Sequence, residues 1–410
     1  MKNLLLIHLE SLNYINYRLN RGMFPTLYRL ESSGMVFDRY YSTATSTLMV
    51  IGDLLYGGME QYEQCTSMDY IPEEYPYTSS LFDDLKSQGY HTSLFVHPDG
   101  NDRISAEKRH IAGFQNEMIL KKKYSAFLQA LEEGMEHFPF ALMACNYISN
   151  LAFNGCTDYS KYDQDMTPWE IGYRNLDSFV KDIMDILERH NLCDSTLVVL
   201  YGDHGDDYWT HGWHQGRAHG VEPNELLIHT PLFVIDFSSI KERITNQLIT
   251  TTDLRKMIYD IIVNNVTLEN AIPKHSFVFS RNEYAAQPVR RESFNKAYSV
   301  SDGHYLLMVS AGGLELYDVY MDSGCHNNLL RLFIFENNYL TENADLQTMI
   351  HAQLSDYMKS RTKRILRQRF YVLLEQLYSK VLELYEAGHL SEEQMKSEMG
   401  FSNINYGNEE

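Results

Sequence analysis

The chain has 410 residues, enough for one large domain with attachments or for two or three smaller ones. Hydrophobic residues make up 44% and aromatics 13%, which supplies a packed core and excludes a largely disordered chain. With 35 basic against 55 acidic residues the formal charge is −20, which argues against nucleic acid or anionic lipid as a partner.

The opening "MKNLLLIHLES" carries an apolar run of only four residues before His8 and no small-residue cleavage site. It reads as a buried strand rather than a secretory signal. No segment reaches the roughly 18 consecutive apolar residues that span a bilayer. The expectation is a cytoplasmic protein without a transmembrane anchor. Five scattered cysteines (Cys65, Cys145, Cys156, Cys193 and Cys325) without CxxC spacing fit reduced thiols.

Along the chain, Leu4–Leu9, His91–Val96, Phe140–Asn146, Thr196–Tyr201 and Pro231–Ile235 are short apolar runs ending at polar residues. That pattern predicts buried parallel strands. Helices are predicted over Ser79–Gln88, Tyr124–Gly134 and Trp169–His190, the last with Ile171, Leu176, Phe179, Ile183 and Leu187 on one face. The alternation points to an α/β domain with a mainly parallel sheet over residues 1–270. From about Ser276, turn signals at Asp302-Gly303 and Gly312-Gly313 predict a small antiparallel sheet, giving a subdomain over 271–335. Residues 336–410 are expected to form a helical extension. Within it, Arg367–Gly388 carries an apolar stripe at Tyr371, Leu374, Leu377, Val381 and Leu384, suited to packing on the core or to a homo-oligomer contact. The basic run Lys359–Arg369 before the stripe fits a solvated helix face, with docking on acidic protein surface or anionic lipid as the alternative.

Chemistry concentrates where strands end. The first strand runs into Glu10-Ser11, and "STLVVLYG" runs into Asp203-His204. In such sheets ligands sit beyond the carboxyl ends of the strands. A carboxylate from one strand end and an Asp-His pair from another make a mixed oxygen and nitrogen set suited to zinc, manganese or a similar divalent ion. The plainer reading makes Glu10 a helix cap and Asp203 the start of a turn. A third element is the Ser/Thr-rich run Ser42–Thr47 before an apolar, helix-compatible segment. Ser46 or Thr47 there is either an N-cap or a hydroxyl nucleophile at a helix N-terminus that favours an anionic substrate. The stretch "LYGDHGDDYWTHGWHQGRAHG" adds His211, His214 and His219 to His204, and its glycines exclude a helix.

These residues resemble a known family. Glu10 after "LLLIHL", then "FPTLYRLESSGMVFDRYYS", then Thr47 ten residues before the glycine of "LLYG", look like the start of the sulfatase-like branch of the alkaline phosphatase superfamily. "LFDDLKSQGYHTSLF", "CDSTLVVLYGDHGDD", "HGVEPNELLIHTPLFVI" and "GGLELYDVYMDSGCHNNLL" resemble its later segments in the same order, over roughly residues 3–330. The resemblance implies an alkaline-phosphatase-like α/β sandwich, its mainly parallel central sheet flanked by helices, with a small C-terminal antiparallel sheet and a helical tail. It implies one divalent metal ion, zinc or manganese before calcium or magnesium, held by Glu10, Thr47, Asp203 and His204. Thr47 matches the nucleophile. His219 matches a histidine near the transferring group, with His211 and His214 as competitors that otherwise contact substrate.

Two departures refine the expectation. Sulfatases carry Cys or Ser in a C/S-x-P-x-R motif that is converted to formylglycine, whereas here Thr47 is followed by Leu48, Met49, Val50 and Ile51. The segment "ATSTLMV" instead resembles phosphoethanolamine transferases and lipoteichoic-acid synthases, which use an unmodified threonine. Where many relatives carry a "DPHxPY"-like turn, "CNYISN" offers Asn146, Ser149 and Asn150, with Asn150 a candidate substrate contact. The expected activity is metal-dependent hydrolysis or transfer at a phosphate ester or diester of a small molecule, glycan or lipid head group. The alternatives are a sulfate-ester hydrolase without formylglycine, and a catalytically degenerate binder of an anionic glycan or protein.

Overall fold

The computed structural model describes residues 1–58, 79–97, 118–121, 123–146, 163, 165–208, 217–218, 220–238, 243–282, 297–310, 313–330 and 361–387. Its strands in chain order begin with β1 (Asn3–Leu9), β2 (Met35–Phe37), β3 (Tyr40–Tyr41), β4 (His91–His97), β5 (Met118–Leu120) and β6 (Phe140–Asn146). There follow β7 (Thr196–Gly202), β8 (Asp207–Tyr208), β9 (Arg217–Ala218), β10 (Leu232–Asp236), β11 (Arg243–Thr245) and β12 (Ile249–Thr250). The last four are β13 (Val278–Asn282), β14 (Ala297–Ser301), β15 (Tyr305–Ser310) and β16 (Gly313–Asp318). The main helices are α1 (Pro25–Glu31), α2 (Thr47–Tyr56), α3 (Leu81–Ser87), α4 (Tyr124–Gly134), α5 (Pro168–Arg189), α6 (Thr251–Ile262) and α7 (Arg361–Glu386).

Eight strands make the central sheet, in the order β11-β2-β10-β7-β1-β6-β4-β5. Every neighbouring pair is parallel except those involving β10, which runs antiparallel to both β2 and β7. The expectation that Pro231–Ile235 runs parallel is thereby corrected. An apolar run buried on both faces looks the same in either direction, so only the connection decides its sense.

Side-chain alternation divides β1 between two cores. Leu4 and Leu6 face the side covered by α2, α3 and α6, whereas Leu5, Ile7 and Leu9 face the side covered by α1, α4 and α5. Burial on both faces is why these strands read as continuous apolar runs. In α5 the start is fixed by a capping box between Thr167 and Glu170 with Pro168 at the first position, and its five predicted core residues are all buried.

Strands β13 to β16 form a separate four-stranded antiparallel sheet. Helix α7 packs on it through Leu374, Leu377, Val381 and Leu384, which share a cluster with Tyr298, Val300, Leu307 and Val309. Tyr371, expected in the same stripe, is instead 62% exposed. Among the described residues, no helix is long and apolar enough to cross a membrane, and Cys145, Cys193 and Cys325 are free thiols.

Candidate functional site

The register between β1 and β7 builds the site. Leu9 lies opposite Gly202, so the next residues, Glu10 and Asp203, leave the sheet side by side at its carboxyl edge. On the other flank of β1, strand β6 ends at Asn146, whose side-chain amide donates to the His8 carbonyl at 3.2 Å.

Three ligand-type atoms, one each from His8, Glu10 and Asp203, lie within 4.8 Å of one another, and all three residues are buried. His8 Nε2 is 2.9 Å from Asp203 Oδ2 and 3.4 Å from Glu10 Oε2. Burial works against a charged His8, but the Asp203 carboxylate outweighs it and holds the pKa well above the ordinary histidine value. Asp203 is shifted the other way. Burial favours its neutral form, yet His204 and His8 together depress its pKa below the usual carboxylate range.

Neighbouring groups aim the donors. The Ser11 backbone N–H donates to Asp203 Oδ1 at 3.1 Å, and the Ser11 hydroxyl donates to Glu10 Oε1 at 3.3 Å. Each carboxylate thus has one oxygen engaged by Ser11 and the other turned towards the cluster. Ser11 adopts φ 58°, a left-handed conformation that costs a serine energy and sets this geometry. His204 Nδ1 lies 2.8 Å from the Gly205 carbonyl, so Nδ1 carries a proton and Nε2 is the ring atom turned towards the cluster. That Nε2 is 3.3 Å from Asp203 Oδ2.

Thr47 meets the arrangement at His204. It is the first residue of α2, and Ser46 occupies the N-cap in extended conformation without a side-chain capping bond. Thr47 is therefore a helical residue rather than the cap. Its Oγ1 is 3.1 Å from His204 Nε2, and its side chain is 8% exposed, against 0% for Asp203 and His204. The helix stops at Gly57, whose φ of 74° suits the left-handed cap position.

Two buried carboxylates are costly without positive charge beside them, which a charged His8 or a bound cation supplies. Oxygen donors from Glu10, Asp203 and Thr47 with a nitrogen donor from His204, and from His8 once it gives up its proton in favour of the metal, match what a divalent ion takes. The residues fit such an ion.

Of the residues singled out in the sequence, Glu10, Thr47, Asp203 and His204 converge. His211, His214, His219 and Asn150 lie outside the described residues. Sequence reasoning missed His8, although the signal was there: a polar residue two places before Glu10 in a strand shares its face. It also missed Asp53 and Arg281. Both are fully buried, with Arg281 Nη1 to Asp53 Oδ2 at 2.9 Å and Nη2 to Oδ1 at 3.1 Å.

Comparison with known proteins gives a consistent result. The family model described as Sulfatase matches residues 2–168 and 171–262. No curated protein matches the chain. Among solved structures, a proposed sulfatase from Bacteroides thetaiotaomicron VPI-5482 is 15% identical, with 90% of this chain and 94% of that one covered at a TM-score of 0.62. A 2-O GAG sulfatase is also 15% identical, with 90% and 94% covered at a TM-score of 0.61. A phosphonate monoester hydrolase of Agrobacterium radiobacter is 13% identical, with 87% and 95% covered at a TM-score of 0.57. At these identities the likeness establishes a shared fold.

Proposed function

The chain belongs to the Sulfatase family, and from that premise we propose that it is a metal-dependent hydrolase or transferase of phosphate esters or diesters with Thr47 as its nucleophile. The observation that carries this reading is the placement of the Thr47 hydroxyl 3.1 Å from His204 Nε2, on the edge of a buried His8–Glu10–Asp203 cluster. A hydroxyl in that position, on the first turn of a helix, has a set of ion-binding donors nearby and the positive end of the helix behind it.

Glu10, Asp203, His204 and Thr47 would hold the ion, zinc or manganese by donor type, with His8 beside them. When bound, a divalent ion supplies Lewis-acid stabilisation of anionic oxygens and makes a nearby hydroxyl more acidic. Thr47 Oγ1, its proton released to solvent, would form the bond to phosphorus as the bond to the leaving alcohol breaks in line. His219 donates the proton that this alcohol needs, with His211 and His214 contacting the non-transferring oxygens. Water, or a second alcohol, then takes the phosphoryl group from Thr47. An unmodified threonine supports placing the chain nearest the threonine-using transferases within the superfamily.

The family match and its sulfatase neighbours favour a second reading, in which the same threonine attacks a sulfate ester. Purified protein loaded with Mn²⁺ or Zn²⁺ separates the two with p-nitrophenyl phosphate, bis(p-nitrophenyl) phosphate and p-nitrophenyl sulfate. Phosphate or phosphodiester turnover that vanishes in Thr47→Ala supports the first reading. Dominant sulfate turnover supports the second, and metal binding without any turnover supports a binding protein.

A further inference from the structure

Strand β13 grips the loop that leads into Thr47. Three successive residues of the strand each contact it: Ser280 Oγ donates to the Ser42 carbonyl at 2.6 Å, the Arg281 backbone N–H to the Thr43 carbonyl at 2.9 Å, and Asn282 Oδ1 accepts from Thr45 Oγ1 at 3.3 Å. The Arg281 side chain meets Asp53, on the helix that begins with Thr47. Asp53 Oδ2 also accepts from Thr43 Oγ1 at 2.5 Å. Both parts of the nucleophile segment are therefore tied to one residue of the C-terminal sheet: the lead-in loop to the Arg281 backbone N–H, and the helix, through Asp53, to its guanidinium.

The chemistry of this contact suits placement better than adhesion. A buried ion pair contributes little net stability relative to apolar groups of the same size, because its attraction is offset by desolvation. A two-pronged arginine–carboxylate contact instead fixes direction and distance in a plane, which a lysine cannot reproduce. The Gly220 N–H donates to the Thr45 carbonyl at 2.7 Å, and the one Thr45 hydroxyl proton is shared between Asn282 Oδ1 and the Val221 carbonyl, 3.0 Å away, so both β13 and the Gly220–Val221 backbone hold the segment.

We propose that Arg281 is a positioning residue for the reaction: through its two-pronged contact with Asp53 it sets the Thr47 hydroxyl against the ion-binding cluster, which makes the C-terminal sheet part of the active site. The proposal rests on the reading of Thr47 as an ion ligand.

A double-mutant cycle on Mn²⁺ affinity tests it without knowledge of the substrate. Mn²⁺ dissociation constants are measured with and without Thr47→Ala, in the parent and in Arg281→Met/Asp53→Leu, which removes both charges together and so leaves no lone buried ion. Arg281→Lys, which keeps the charge and loses the fork, is the second background should the double replacement fail to fold. In the parent, Thr47→Ala is expected to weaken Mn²⁺ by about 10-fold, as for loss of a group that supports a metal site. In either altered background the same substitution should change affinity by less than about 2-fold, because Thr47 no longer reaches the ion. A clamp that merely stabilised the fold would lower the melting temperature and leave the Thr47→Ala effect at its parent size, and that result overturns the proposal. If Thr47→Ala leaves Mn²⁺ affinity unchanged in the parent, the reading of Thr47 as a ligand falls, and the proposal with it.

Discussion

Thr47 Oγ1 lies 3.1 Å from His204 Nε2, although 157 positions separate the two residues in the chain. One arrives at the first turn of α2, the other at the end of β7, and the sheet brings them together. The catalytic proposal depends on this meeting.

Replacing Thr47 with Ala removes the hydroxyl and a methyl group from a helix start that uses no Thr47 capping bond. Turnover of whichever ester proves to be a substrate should fall by on the order of 10³-fold or more. The melting temperature should stay within about 4 °C of the parent. Thr47→Ser, which keeps the oxygen, should retain measurable activity. Kinetics and thermal unfolding on the same preparations check both parts.

Glu10 and Asp203 bring two carboxylates into a site where neither residue is more than 1% exposed. An ion bound there stabilises the folded state by mass action, by about 2.7 kcal/mol at 100 times its dissociation constant. Calorimetry should show the melting temperature rising with added Mn²⁺ or Zn²⁺ and falling with a chelator. In Glu10→Gln/Asp203→Asn the shift should vanish. A chelator-insensitive parent would remove the metal from the account.

Gly205 follows His204 where the chain squeezes past its neighbours: a Cβ there would stand 1.9 Å from the Leu226 carbonyl oxygen and 2.7 Å from Asn13 Cβ. Neither is the far end of a flexible side chain, so Gly205→Ala must displace the backbone that carries His204. The cost should reach at least about 3 kcal/mol in chemical denaturation. Gly22→Ala, whose Cβ meets nothing within 4 Å, serves as the control and should stay within about 1 kcal/mol.

His97, at the end of β4, is 5% exposed and packs edge-on against Tyr124 and Phe127. Burial lowers its pKa, because the charged ring would lose its hydration. The unfolded chain takes up its proton near pH ~6.5 while the folded chain does not, so stability falls as pH drops below that value towards the lowered folded pKa. Above ~6.5 the contribution is complete. His97→Leu should flatten this part of the pH profile in urea unfolding; an unchanged acid-side slope would show that His97 does not cause it.

The main strands were legible because burial on both faces writes them as continuous apolar runs. Asn3–Leu9, Phe140–Asn146 and Thr196–Gly202 fall within one residue of the sequence reading. The three-residue strands Met35–Phe37, Met118–Leu120 and Arg243–Thr245 were not legible, being too short to show a period. The reversed sense of β10 was equally hidden, since alternation carries no direction.

The site was legible where a polar residue follows directly on a buried run, as Glu10 and Asp203 do. His8 escaped because it interrupts an otherwise apolar strand and read only as the point where the four-residue run stops. Arg281 escaped for a different reason: "HSFVFSRNEYAA" reads as a hairpin strand, and the partner that gives the arginine meaning, Asp53, is 228 positions away. Pairings of that range belong to the fold, not to any local window.

The most direct test of one cation shared by four side chains is anomalous diffraction from crystals grown with Zn²⁺. The account predicts a single strong peak about 2.0–2.2 Å from an oxygen of Glu10, an oxygen of Asp203 and Nε2 of His204, with Thr47 Oγ1 directed at it. A peak elsewhere on the protein, or one at this place with Thr47 turned away, would contradict it.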